Sequence, residues 1–169
     1  MDQLRLSFFR ELFDYTYWGR DRILAAAAVL TPDQRTAPTW LDHGSIHGTL
    51  VHQYASEVLM RKRWEGLAPT RLLDEADIPT FDVLQERWQE QEIGVRQFLD
   101  GLDDAGLARP VRYRSRAGVD YADPLHRVLF QLVNHGTQHR SEVALVLTQL
   151  GHSPGFMDYM AYVREQNGS

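Results

Sequence analysis

The run LHRVLFQLVNHGTQHRSEVALVLTQL, residues 125–150, decides the fold. Within it Leu125, Leu129, Leu132, Gly136, His139, Val143, Val146 and Leu150 recur at alternating spacings of four and three. That is the period of an α-helix turning one seam towards the interior of a bundle. Asp123 is expected to cap this helix and Pro124 to open it, proline being tolerated at the first helical position. Gly151 stands where a left-handed terminating residue is favoured. A seam of this length must be buried by partner helices, so the rest of the chain should supply them.

It does. Residues 3–29 read as a long helix, with Leu4, Phe8, Phe9, Leu12, Phe13, Tyr17, Ile23, Leu24 and Ala27 three or four apart, and Thr31-Pro32 stops it. A loop is expected through Pro38 and Gly44. Ser45 is a good N-cap for a second helix to about Glu65, and Thr80 for a third from Phe81 to Leu102. Between 110 and 122 the rhythm changes. Val111, Tyr113, Val119 and Tyr121 alternate with polar residues around Ala117-Gly118, which predicts a short hairpin-like excursion before the fourth long helix. After Pro154-Gly155 a short C-terminal helix is expected over Phe156–Glu165. The reading is an all-α four-helix bundle, a single domain over residues 1–169.

Composition narrows function. Of 169 residues, 43% are hydrophobic and 24% charged, with a net charge of −5. The basic cluster Arg61-Lys62-Arg63 is flanked by Glu57 and Glu65, which argues against a nucleic-acid footprint. Arg109 to Arg116 carries four arginines between acidic stretches and reads as a solvated hairpin, with an anion site as the alternative. No apolar run is long enough for a membrane span, and the N-terminus does not read as a signal peptide. There is no cysteine, so disulfides, thiolate metal sites and cysteine nucleophiles are excluded, and a cytoplasmic location is expected. Seven histidines remain as soft or borderline metal ligands.

Two of them share the seam helix. His135 and His139 are one turn apart, so their Cβ atoms should lie about 5–6 Å from each other on one face. Both rings can then reach one divalent ion at zinc–nitrogen distances of about 2.0–2.1 Å. The alternative is a pair of core histidines satisfied by neighbouring groups. Gly136 occupies the glutamate position of the helical HExxH motif, which argues against a metalloprotease of that type.

Several motifs together resemble the DinB/YfiT-like superfamily of bacterial four-helix-bundle metalloproteins. On the fourth helix these are Asn134-His135-Gly136-Thr137-Gln138-His139-Arg140 and Gln149-Leu150-Gly151. On the second they are Ser45-Ile46, Leu50-Val51-His52, Glu57 and Trp64, and on the first Leu12-Phe13-Asp14-Tyr15 and Trp18. The resemblance covers nearly the whole chain. It implies one divalent metal, zinc or nickel, held by His52, His135 and His139, an open site of three nitrogens plus solvent. It implies a metal-dependent enzyme acting on a small-molecule substrate, such as an S-transferase using a low-molecular-weight thiol (bacillithiol or mycothiol). A metal-dependent hydrolase and a non-catalytic stress or ligand-binding protein are the alternatives. A homodimer is implied too, and Tyr15, Tyr17 and Trp18 could contribute to it, although core packing is the commoner fate of such residues.

Some positions depart from the family pattern. Gln131 and Ser141 replace a histidine and a glycine, and Met60 replaces a tryptophan. Glu142 stands where glutamine is usual and is the candidate catalytic residue. It could orient a ligand ring, act as a base, or pair with a cation. Periodicity of the second helix alone would choose His47 as third ligand, because Ile46, Leu50, Tyr54 and Val58 surround it. The resemblance chooses His52. His43 and His152 read as solvent-facing, His126 as a residue near a helix start, and Glu57 as half of a structural ion pair with Arg140.

Overall fold

The computed structural model describes residues 5–69, 71–115 and 117–168. Six helices and one hairpin follow in order: α1 (Leu6–Ala28), α2 (Pro32–Thr36), α3 (Ile46–Trp64), α4 (Phe81–Asp100), β1 (Pro110–Arg114), β2 (Asp120–Pro124), α5 (Leu125–Gln149) and α6 (Tyr159–Gln166). The long helices α1, α3, α4 and α5 form the expected all-α bundle. Helix α1 packs against α4 and α5, and α3 packs against the same two. Residues 3 and 4 of the helix expected over 3–29 lie outside the described residues.

The caps explain the boundaries. Ser45 Oγ accepts from Gly48 N at 2.9 Å and Thr80 Oγ1 from Val83 N at 3.3 Å, starting α3 and α4 where expected. The loop expected after Thr31 contains a helix instead. Thr31 and Gln34 cap each other's backbone in a capping box, and Pro32 sits at the first helical position of α2. Thr31-Pro32 thus ends one helix and begins another.

Two further boundaries differ. Asp123 does not cap α5: it pairs with Val111 in the hairpin, and its carboxylate accepts from Tyr113 Oη at 2.9 Å. Pro124 itself is the capping residue. The last helix starts at Tyr159, because Asp158 Oδ1 accepts from Ala161 N at 2.8 Å, and Phe156 stays exposed. The hairpin is as expected, with Tyr113 opposite Tyr121 and their rings stacked. Arg114 pairs with Asp120, Arg109 just before β1 donates to the Trp64 carbonyl at 2.7 Å, and Arg112 is exposed. Arg116 lies outside the described residues.

Along the bundle the apolar core comes in two clusters. One gathers Ile23, Leu24, Leu50, Tyr54, Leu84, Trp88, Val143 and Leu147. The other gathers Phe9, Phe13, Trp64, Val95, Leu99, Leu125, Leu129 and Leu132. Near mid-length, where its contributions to the two clusters meet, each long helix carries buried polar residues: Thr16 and Arg20 on α1, Gln53 and Glu57 on α3, Gln91 on α4, His139 and Arg140 on α5. A polar belt therefore crosses the middle of the bundle. Burying such groups is costly unless they are paired, so the belt is where function should be sought. No helix among the described residues is long and apolar enough to cross a membrane.

Candidate metal centre

Helices α3 and α5 lie side by side and bring His52 to His135 and His139. His135 Nε2 stands 3.3 Å from His52 Nε2 and 3.2 Å from His139 Nε2. Two nitrogens each about 2.0–2.1 Å from one tetrahedral ion would stand about 3.3–3.4 Å apart. The observed spacings match that edge length.

Proton placement points the same way. His139 Nδ1 lies 2.7 Å from Glu142 Oε2, and a carboxylate at that distance accepts, so the ring proton sits on Nδ1. A proton on Nδ1 leaves Nε2 of the neutral ring as the nitrogen able to accept from His135 or bind an ion. Burial, followed by the neighbouring His139 and His43, pushes the His135 imidazolium down to about 4, so this ring is neutral at physiological pH. A neutral His135 can donate from Nε2 to only one of its two neighbours. A shared cation would relieve that competition, and the two spacings round His135 suit nitrogen ligands of a divalent ion.

The other histidines are sorted by their partners. His47 is buried, but its Nε2 lies 3.0 Å from the Ile78 carbonyl, as in a satisfied core histidine. His126 Nδ1 meets the Leu107 carbonyl at 3.0 Å, and His152 is exposed. His43 is a correction. It is half-buried rather than solvent-facing, with its ring stacked on His52 at a centroid distance of 3.7 Å. One ring nitrogen from each of His43, His52 and His139 lies within 4.8 Å of the others, a group that could hold a metal ion. Helical periodicity could not have found it, because the turn 41–44 before Ser45 aims the ring. Its only signal was proximity in sequence to the start of the helix carrying His52.

Glu57 is also partnered differently from the expectation. Its carboxylate accepts from Tyr17 Oη at 2.8 Å and from Trp88 Nε1 at 3.0 Å. Burial nevertheless raises its pKa, and raises that of Tyr17. Arg140 instead fills space left by two glycines: a Cβ on Gly136 would stand 2.9 Å from its Nη1, and one on Gly19 3.0 Å from its Nε. Gly136, between the two α5 histidines, therefore leaves the room that the buried Arg140 guanidinium occupies. Tyr15 and Tyr17 are buried, and Trp18 packs beneath α6, donating to Glu165, so these aromatics serve the chain's own core.

Two clefts flank the histidines. One, of about 290 Å³, is lined by His43 and His52 with Leu72, Leu73, Asp74 and Glu75. A smaller one, about 110 Å³, has His135 in its wall beside Ser56, Met60, Arg63 and Gln131. Met60 and Gln131, two of the departures noted above, thus shape this second wall. Half-buried imidazoles beside clefts can take a small ligand as well as an ion.

No curated protein matches the sequence. The model of the DinB family matches residues 1–168. With the bundle and the histidine cluster in place, the chain belongs to the DinB family.

Proposed function

We propose that His52, His135 and His139 hold one divalent ion through their Nε2 atoms, and that the ion serves a metal-dependent transfer reaction on a small molecule. The observation that carries this is the pair of Nε2 spacings, 3.3 and 3.2 Å, around His135. Zinc and nickel both suit imidazole nitrogen. Bound there, a divalent ion supplies Lewis acidity, lowering the pKa of water or of a thiol.

The chain's own residues would do the rest. Glu142 is a positioning residue: it holds the His139 ring by its Nδ1 proton and so keeps Nε2 aimed at the ion. Its other oxygen is 3.4 Å from Gln138 Nε2. The flanking clefts would admit the substrate and its partner thiol. The chain has no cysteine, so a thiol nucleophile must come from outside as a low-molecular-weight compound. The working form is taken to be a cytoplasmic homodimer, and sedimentation of the purified chain tests the dimer.

Turnover tests the reaction. The metal-loaded protein is supplied with an electrophile and, in turn, bacillithiol and mycothiol. Thioether formation that disappears in the His135→Ala, His139→Ala variant supports S-transfer. Hydrolysis of the electrophile without thiol points to the hydrolase instead. Ligand binding without either makes the protein a metal-dependent binder.

A further inference from the structure

We propose that His43 is a fourth, displaceable ligand of this centre, so that the resting ion is held by four imidazoles and opens when an anionic small molecule takes the place of His43. This deepens the function proposed above and rests on it.

Three observations carry it. First, a ring nitrogen of His43 lies within 4.8 Å of those of His52 and His139, and the His43 ring is stacked on His52. Stacked at 16° to His52, the His43 ring aims its in-plane lone pair alongside that of His52, so ligation requires a side-chain rotation that turns the ring out of the stack towards the ion. Second, the backbone is built to hold His43 there. A Cβ on Gly48 would stand 2.3 Å from the His43 carbonyl oxygen, a backbone atom that cannot turn aside. Alanine is the better helix former, yet only glycine lets the 41–44 turn lie this close to α3. That turn is closed on itself by Gly44 N to Leu41 O at 2.8 Å and Thr39 N to Gly44 O at 2.7 Å. Third, His52, His135 and His139 stand on packed helices, whereas His43 stands on a turn and forms a wall of the 290 Å³ cleft. Swinging His43 aside exposes the ion to that cleft.

Charge favours the exchange. Four neutral imidazoles leave the ion's two positive charges without an anionic ligand, the nearest carboxylates being Glu142 on the far side of His139 and Asp74 and Glu75 in the cleft wall. Replacing one of them by a thiolate or another anion lowers that charge. His52, His135 and His139 stay in place, and His43 excludes water until the anion arrives.

The test compares wild type with His43→Phe, which keeps a ring on His52 but removes its nitrogens, and with Gly48→Ala, which keeps His43 but pushes its backbone away. Zinc affinity is measured by competition with a chromophoric chelator, and imidazoles are counted by X-ray absorption. Outer-shell partners of metal-bound imidazoles are worth about 10–100-fold in affinity, so loss of a direct ligand should cost at least about tenfold. Both variants should bind zinc at least that much more weakly, through three imidazoles instead of four. The cobalt-loaded His43→Phe protein should also bind 2-mercaptoethanol more tightly, read from the sulfur-to-cobalt charge-transfer band, because its competitor is gone. Three imidazoles in wild type, or unchanged zinc affinity in both variants, overturns the proposal while leaving the three-histidine centre standing. Wild type that takes up no zinc overturns both.

Discussion

His139 is held from both sides, by Glu142 at Nδ1 and by His135 at Nε2. Glu142→Ala frees the ring to rotate and removes the group that fixes its tautomer. Metal affinity is expected to fall about 10–100-fold, the usual worth of such a partner, with less loss for Glu142→Gln. A chelator competition assay reads this directly, and an unchanged affinity in the alanine variant would remove Glu142 from the centre. His135 carries a pH signature in the metal-free protein. Its folded pKa is about 4, against an ordinary value of 6.5. Between these values the unfolded chain binds the proton and the folded chain resists it. The stability tied to the neutral ring is therefore complete above pH 6.5 and lost as the pH falls towards 4. Melting temperatures of the metal-free protein at pH 7.5 and 5 should differ more for wild type than for His135→Phe. Equal slopes would mean that the ring is not held neutral by its surroundings.

Among the elements, α5 was the most legible in sequence, because its seam, its glycine terminator and its two histidines all follow one helical period. Helix α3 was legible in extent, since Ser45 caps it, but not in phase. It buries residues nearly all round its first two turns, from Ile46 through Val51, so the periodicity that favoured His47 over His52 was a poor guide to what each ring faces. Packing separates the two rings: His47 faces the Ile78 carbonyl, and His52 faces α5. Short elements were read less well. Helix α2 was hidden because Pro32 serves as both a stop and a start, and Asp123 was drawn into the hairpin by Tyr113. The role of Gly136 also belongs to this scale. Gly→Ala inside a helix ordinarily stabilises by about 0.5–1 kcal/mol. Here the new methyl would meet Arg140 Nη1 at 2.9 Å and Gln53 Nε2 at 3.3 Å. Overpacking of this kind costs about 1–3 kcal/mol, so Gly136→Ala is expected to lower the melting temperature. In an Arg140→Gln background the same change should become neutral or stabilising. If it destabilises equally in both backgrounds, Arg140 is not the obstacle.

For the molecule as a whole, the decisive feature is the polar belt between two apolar clusters. Each long helix interrupts its hydrophobic pattern near mid-length, and the bundle brings those interruptions to one level. The sequence displays each interruption separately, at Thr16 and Arg20, Gln53 and Glu57, Gln91, and His135 to Arg140. Their convergence depends on how the helices are ordered round the bundle, which no single helix encodes. That is why the α5 histidine pair was legible, whereas the Glu57–Tyr17–Trp88 network and the approach of His43 were not. The histidine end of the belt is the part proposed to bind an ion. Metal content measured on tag-free protein, purified without chelator and titrated with zinc, tests this most directly. The account predicts one ion per chain in wild type and almost none in the His135→Ala, His139→Ala variant at unchanged helix content. Wild-type protein that takes up no zinc or nickel, or a double variant that binds as much as wild type, would contradict it.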